Sequence, residues 1–278
     1  MKKNISLFVL LLLLVGVVGQ ASEKITPSKT IVRKEVKVSN FTEILTSSAI
    51  DVVYTPSSSV KVIVEAPDNV IPFVSVKVDG NKLVAKYNRN NLNFKGNPSC
   101  KVIVEAPGVK LFDTNSAGSI SITNKLDVSG TVRMYTRSAG AITTKDVVCD
   151  DFVGEVNSAG GITIANISAI DITLNTNSAG NINVSKAKAD NIKCTASSAG
   201  KINISGNCAS VNLTANSAGD INASGLKAAT VKAVTNSIGS IQCHVTESLD
   251  AQCNSLGKIR YKGNPSVYRA SAKGVSRL

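Results

Sequence analysis

Apolar and polar residues alternate along most of this chain, and the alternation resets about every twenty residues. After Gly180, Ile182 and Val184 alternate with Asn181, Asn183 and Ser185. A polar, turn-like run follows from Lys186 to Asn191. Then Ile192, Cys194 and Ala196 alternate with Lys193 and Thr195 up to Gly200. A period of two sends successive side chains to opposite sides of a strand, so these are short strands with one buried face. Ile162, Ile164, Ile170, Ile172 and Leu174 keep this phase one interval earlier, and Ile202, Ile204, Val211 and Leu213 one interval later. No stretch of the repeat carries a sustained helical stripe.

The reset is marked by a tetrapeptide. Asn115-Ser116-Ala117-Gly118 returns as Arg137-Ser138-Ala139-Gly140, Asn157-Ser158-Ala159-Gly160, Asn177-Ser178-Ala179-Gly180 and Ser197-Ser198-Ala199-Gly200. Asn216-Ser217-Ala218-Gly219, Asn236-Ser237-Ile238-Gly239 and Asn254-Ser255-Leu256-Gly257 follow. Successive serines are 22, 20, 20, 20, 19, 20 and 18 residues apart. Such a period predicts one similar circuit made again and again. The fold expected is all-β, a parallel β-helix of coils of about 20 residues stacked at the strand spacing of roughly 4.8 Å. Equivalent side chains then form ladders, with Asn hydrogen-bonded to Asn at the corner. Small residues are expected there because neighbouring coils approach closely at a tight corner, and glycine also for backbone angles that other residues resist. One coil cannot bury its own apolar face, so stability comes from the stack and its ends need caps. A β-propeller blade needs twice this period, and an antiparallel meander needs stronger hairpin signals between strands.

The flanks are organised differently. Residues 1–21 read as an export signal: Lys2 and Lys3, an apolar run from Leu7 to Val18, and Gly19-Gln20-Ala21 as a small-x-small cleavage site. The apolar run is short for a membrane span, and no later stretch is apolar enough for one. Residues 22–112 read as a more irregular N-terminal β layer leading into the solenoid, and residues 113–278 as the β-helix with a C-terminal cap. Within the first part, Phe73 to Val78 and Lys82 to Tyr87 read as a hairpin around Asp79-Gly80-Asn81. Lys61-Val62-Ile63-Val64-Glu65-Ala66-Pro67 recurs forty residues later as Lys101-Val102-Ile103-Val104-Glu105-Ala106-Pro107, a separation of two circuits. The regular repeat is expected to end after Gly257, with the tail from Ser271 to Leu278 closing the last coil.

Composition narrows the function. Removing Lys2 and Lys3 takes the formal charge from +12 to +10. An exported chain with eleven aromatic residues, no Trp and no Arg/Lys block is a poor nucleic-acid candidate. The lysines are scattered at turn and outward positions. They read as a solvated outer face, or alternatively as a stripe binding acidic polysaccharide. Cys100, Cys149, Cys194, Cys208, Cys243 and Cys253 contain no Cys-x-x-Cys pair, and those in apolar phase, such as Cys194, are expected to be buried thiols. Cys194 with Cys208, or Cys243 with Cys253, would meet only if adjacent coils aligned them. His244 is the only histidine, which excludes a histidine-based metal cluster. Asp127, Asp146, Asp150, Asp151, Asp171 and Asp190 read as turn residues, with a weak calcium-binding edge as the alternative. A polysaccharide-active enzyme on this scaffold would have to draw on Arg133, Arg137, Asp150 and Asp151.

These features together resemble a known family. The export signal is followed by Phe41 to Ile44, Ser48-Ala49-Ile50-Asp51-Val52, Lys61-Val62-Ile63-Val64-Glu65, the Asn-Ser-Ala-Gly series and Gly263-Asn264-Pro265-Ser266-Val267. Over residues 35–278 the chain resembles the autotransporter-adhesin head GIN domain family, secreted proteins common in Bacteroidetes. The resemblance implies a right-handed β-helix with an adhesive or cell-surface role, and it supplies no catalytic, cofactor-binding or metal-binding residues. The expectation is therefore an exported, non-enzymatic, adhesin-like binding protein of the periplasm, outer surface or extracellular space. Its expected partners are glycans or cell-surface and envelope components. It needs no cofactor, and no integral membrane segment is left after signal removal. The alternatives are a polysaccharide-active β-helix enzyme and a structural envelope protein.

Overall fold

Each repeat closes into a coil because its apolar positions face inwards on every side. The computed structural model describes residues 24–89, 91–271 and 273–278, so the expected leader at 1–21 lies outside the described residues. In one coil, the strand Asp151–Val156 buries Phe152 and Val156. The corner at 157–160 then turns the chain into the strand Gly161–Ser168, which buries Ile162, Ile164 and Ile167. That second strand bends at residue 165, where pairing with both neighbouring coils skips a position. Each coil thus has three faces, carried by 151–156, 161–164 and 166–168. Asp171–Thr176 then lies parallel and in register on Asp151–Val156. Repetition of this circuit builds a β-solenoid of about 8 turns.

Parallel register stacks like on like. Val52, Ile120, Ile142, Ile162, Ile182, Ile202, Ile221, Ile241 and Ile259 form one continuous column. Every member is at most 1% exposed. Full burial of such a side chain contributes about 1.5–3 kcal/mol, so this single column is a large share of what holds the stack together.

The corner tetrapeptide shows the close approach of coils that was expected, but not the expected glycine backbone. The left-handed backbone belongs to serine: Ser158, Ser178, Ser198, Ser217, Ser237 and Ser255 have φ of 70°, 58°, 59°, 56°, 66° and 73°. The glycines of these corners are not among the residues with positive φ. They are needed for space instead. A Cβ on Gly160 would lie 2.5 Å from Thr136 Oγ1, and one on Gly180 would lie 2.6 Å from Val156 Cγ1. The Asn ladder forms, at the later copies: Asn236 Nδ2 donates to Asn216 Oδ1 at 2.8 Å, and Asn254 Nδ2 to Asn236 Oδ1 at 2.8 Å.

Antiparallel strands finish the N-terminal end. Val74–Asp79 and Lys82–Tyr87 form a hairpin with Gly80 at φ 58°, and Lys82–Tyr87 lies parallel on Glu43–Thr46. The twin segments are not two stacked circuits. Lys61–Pro67 runs antiparallel to Lys101–Ala106, pairing Val62 with Val104 and Val64 with Val102, and Lys101–Ala106 is parallel to Asp51–Pro56. Reversing direction ends the parallel stack, and Ile31–Glu35 covers the outer edge. Their similar sequences reflect one shared task, burial of alternate residues against the first coil.

Two further expectations change. Ile170 is 52% exposed, because it sits at the bend between the third face and the next first face, where the alternation is interrupted. The stack also continues beyond Gly257: Lys258–Lys262, Val267–Ala270 and Val275–Arg277 all pair in parallel. Backbone hydrogen bonds sustain this last coil where side-chain burial has faded, since Val267–Ala270 is exposed throughout.

Candidate binding faces

A ladder fold places outward residues as strictly as inward ones. On the second face, Ser121, Thr143, Thr163, Asn183, Asn203, Asn222, Gln242 and Arg260 occupy one column. Asn203 Nδ2 donates to Asn183 Oδ1 at 2.9 Å, and Ser205 Oγ donates to the Ser185 carbonyl at 2.5 Å. On the first face, Asn191 Nδ2 donates to Asp171 Oδ1 at 2.9 Å and Ser210 Oγ to Asn191 Oδ1 at 3.0 Å. These side chains are held in place by their neighbours one coil away.

The third face carries Ser168, Lys188, Asn207, Lys227, His244 and Lys262 in register. Lys188, Lys227 and Lys262 are exposed, and His244 is half-buried. Partial desolvation, then the Lys262 and Lys227 ammonium groups, hold the His244 imidazole below its ordinary value. Lys186 stands beside Asn166 on the coil before. Asp146, Asn166, Lys186, Lys188 and Asn207 line a shallow groove of about 420 Å³. Gly206 also lines it and contributes no side chain.

Charge is distributed unevenly along the solenoid. Residues 181–278 hold twelve Lys and Arg against four Asp and Glu, whereas residues 22–180 hold seventeen against fifteen. Ion pairs among the described residues join Arg33 to Glu65, Lys82 to Glu43, Lys101 to Glu65, Lys125 to Asp127 and Arg137 to Asp113. All lie before residue 138, so Lys186, Lys188, Lys227 and Lys262 of the third face have no ion-pair partner among the described residues. This asymmetry is present in the sequence, but reading the lysines coil by coil scatters it.

Among the described residues no hydrogen bond or ion pair joins the candidate catalytic residues to one another. Arg137 is held by Asp113, 4% exposed, through Nε at 3.1 Å and Nη2 at 3.0 Å. Asp150 Oδ2 accepts the Gly130 N–H at 2.6 Å, a turn contact, and Asp151 lies beside Thr131 Oγ1 at 3.3 Å. Arg133 is in register with Leu111 and Val153. Asp146 accepts from Asn166 Nδ2 at 2.7 Å and Asp171 from Asn191. Among the described residues no three His, Cys, Asp or Glu side chains group as metal ligands. All six cysteines are free. Cys100, Cys149, Cys194 and Cys243 are buried, and Cys208 and Cys253 are half-buried. Cys194 is in register with Leu213, and Cys208 with Ala189, so that pair is not aligned across coils.

Among the described residues no helix is long and apolar enough to cross a membrane. The family described as "Putative auto-transporter adhesin, head GIN domain" matches residues 40–265. The fold is similar to a crystal structure described as a putative adhesin from Parabacteroides distasonis, with TM-score 0.69, 19% identity, and coverage of 92% of this chain and 99% of that one. It is similar to another so described from Parabacteroides merdae, with TM-score 0.66, 17% identity, and coverage of 92% and 99%. A third, described as a putative lipid binding protein from Parabacteroides distasonis, has TM-score 0.65, 20% identity, and coverage of 92% and 100%. No curated protein matches the chain.

Proposed function

This chain belongs to the auto-transporter adhesin head GIN domain family, and on that premise we propose that it is an exported, non-enzymatic recognition module for glycans of a cell surface or envelope. The observation that carries this reading is the second-face column from Thr143 to Asn222. It presents hydroxyl and amide groups in register from coil to coil. The spacing is set by strand pairing at roughly 4.8 Å. A repeating ligand meets a repeating set of donors and acceptors that are already ordered, so little side-chain freedom is lost on binding. The export signal at 1–21 and the polar outer faces agree with a protein that works outside the cytoplasm.

The test is binding of the purified mature chain to bacterial cells, epithelial cells and a panel of neutral and acidic polysaccharides, with release of new chain ends followed in parallel. Retention without new ends is the expected result. No retention on any surface would overturn the reading, and new reducing or unsaturated ends would replace it with an enzyme.

A further inference from the structure

The third face answers which glycan. We propose that Lys188, Lys227, His244 and Lys262, with Lys186 beside them, form a docking stripe for a linear polyanionic polysaccharide; this rests on the binding-module reading and gives its ligand a chemical class.

Alignment is the first argument. The four side chains and Asn207 occupy one column that runs along the solenoid axis. With coils about 4.8 Å apart, successive lysines of the column stand about 10 Å apart, a distance of the order of one disaccharide. A linear polysaccharide with one anionic group per repeat lays its charges down at such an interval. Asn207 and His244 fall between the lysines and supply hydrogen bonds to the sugar hydroxyls.

Isolation of the charge is the second argument. No carboxylate stands in the column between Lys188 and Lys262; Asp190 and Glu247 lie further along the same strands, towards the next bend. The corresponding first-face column is interrupted: Lys193, Asn212, Lys232, Asp250 and Arg269 follow one another, with an acid between the last two cations. Cations in a row with no internal counter-charge raise the local potential and attract an extended anion. At the other end of the third face Lys125 is paired with Asp127, which bounds the stripe. The groove lined by Lys186, Lys188 and Gly206 offers room for one sugar ring; its one carboxylate, Asp146, lies two coils before Lys186, outside the stripe.

An anionic membrane is the less suitable occupant. A protein lying on a membrane inserts apolar side chains beside its cations. Ile170, Val267 and Tyr268 are 49–52% exposed, but the two most exposed large apolar side chains are Ile238, at 61%, and Leu256, at 76%. Both sit at the corner between the first and second faces, away from the stripe.

The experiment measures binding of the mature chain to immobilised chondroitin sulfate, polygalacturonate and neutral dextran, and to vesicles containing phosphatidylserine. Both polyanions should bind, dextran should not, and affinity should fall as salt rises. The two polyanions separate a preference for sulfate from one for carboxylate. Lys188→Gln, Lys227→Gln and Lys262→Gln together should weaken binding by about tenfold or more. Lys193→Gln, Lys232→Gln and Arg269→Gln, the same charge lost from the first face, should change it by less than about threefold. Single Lys227→Gln and Lys227→Arg variants keep the test decisive if a triple variant does not fold: only the first should weaken binding. Equal losses in the two triple variants, or polyanions held no better than dextran, overturn the stripe. If cells or neutral glycans are bound and the third-face variant binds them unchanged, the stripe fails and the module reading survives. If nothing is bound, both fail. Tighter binding to the vesicles than to the polyanions, lost on Ile238→Ser with Leu256→Ser, makes the surface a membrane contact and overturns the polysaccharide.

Discussion

Gly160 lies directly against Thr136, one coil earlier, so closely that a Cβ on the glycine would stand 2.5 Å from Thr136 Oγ1 and 2.9 Å from the Gly140 carbonyl oxygen. The corner glycine is therefore a spacing residue, and Ser158, at φ 70°, carries the conformational strain of the turn. Opposite outcomes follow for the two positions. Gly160→Ala should destabilise by about 1–3 kcal/mol, because the threonine or the backbone must shift. Ser158→Gly should be neutral or stabilising by up to about 1 kcal/mol, since a left-handed backbone disfavours any residue with a Cβ. Thermal unfolding of the two variants checks this; a large loss at Ser158 with none at Gly160 would return the turn to glycine.

Asp113 is buried and its carboxylate is satisfied by the Arg137 guanidinium, whose side chain is 53% exposed. Removing the cation leaves a buried carboxylate without its partner. Arg137→Ala should cost about 1–2 kcal/mol, below the figure for a fully buried pair because solvent reaches the arginine. Asp113→Asn in the Arg137→Ala background should recover part of the loss, and denaturant unfolding of the double-mutant cycle measures the coupling.

Burial pushes the thiols of Cys149 and Cys208 up to about 11, and those of Cys100 and Cys243 up to about 12, with Cys194 higher still. A thiol is reactive only as thiolate. Native chain treated with iodoacetamide at about pH 8 should be modified first at half-buried Cys253. The other five should react more than about tenfold more slowly until denaturant is added. Early labelling of Cys194 or Cys243, or disulfides in the unreduced protein, contradicts the packing described.

His244 stands between Lys227 on one coil and Lys262 on the next. Its folded value is lowered, so the unfolded chain takes up the proton first as pH falls. This contribution to stability is fully present above the ordinary imidazole value of about 6.5 and is lost as pH falls from there through the lowered folded value. Polyanion binding has the opposite sign. A bound anion favours the imidazolium, so affinity should rise on going from about pH 8 to about pH 5. His244→Gln should flatten both profiles, and a binding profile that stays steep in that variant would take histidine out of the stripe.

The inward half of this protein was legible in its residues. Ile142, Ile162 and Ile182 repeat at twenty residues with the same alternation on either side, and burial of alternate residues is a local property of a strand. The hairpin around Gly80 was legible for the same reason. The terminal arrangement was not, because Lys61–Pro67 and Lys101–Ala106 read alike whether they stack in parallel or pair antiparallel. The close approach at the small-residue corner was legible too; that serine rather than glycine takes the left-handed backbone was not, because both are small residues suited to a turn.

Residue pattern by itself determined that this chain is a stack of coils and which side chains line most of its core, Ile170 at the bend being an exception. Only the tertiary structure decided which outward side chains share a column. Pairing slips at the bends after Val184, Asn203 and Ala223. From Lys188 to Asn207, Lys227, His244 and Lys262 the residue numbers therefore advance by 19, 20, 17 and 18. No fixed period links these positions. The backbone hydrogen bonds between coils bring them into line, and register between strands is a property of the assembled sheet.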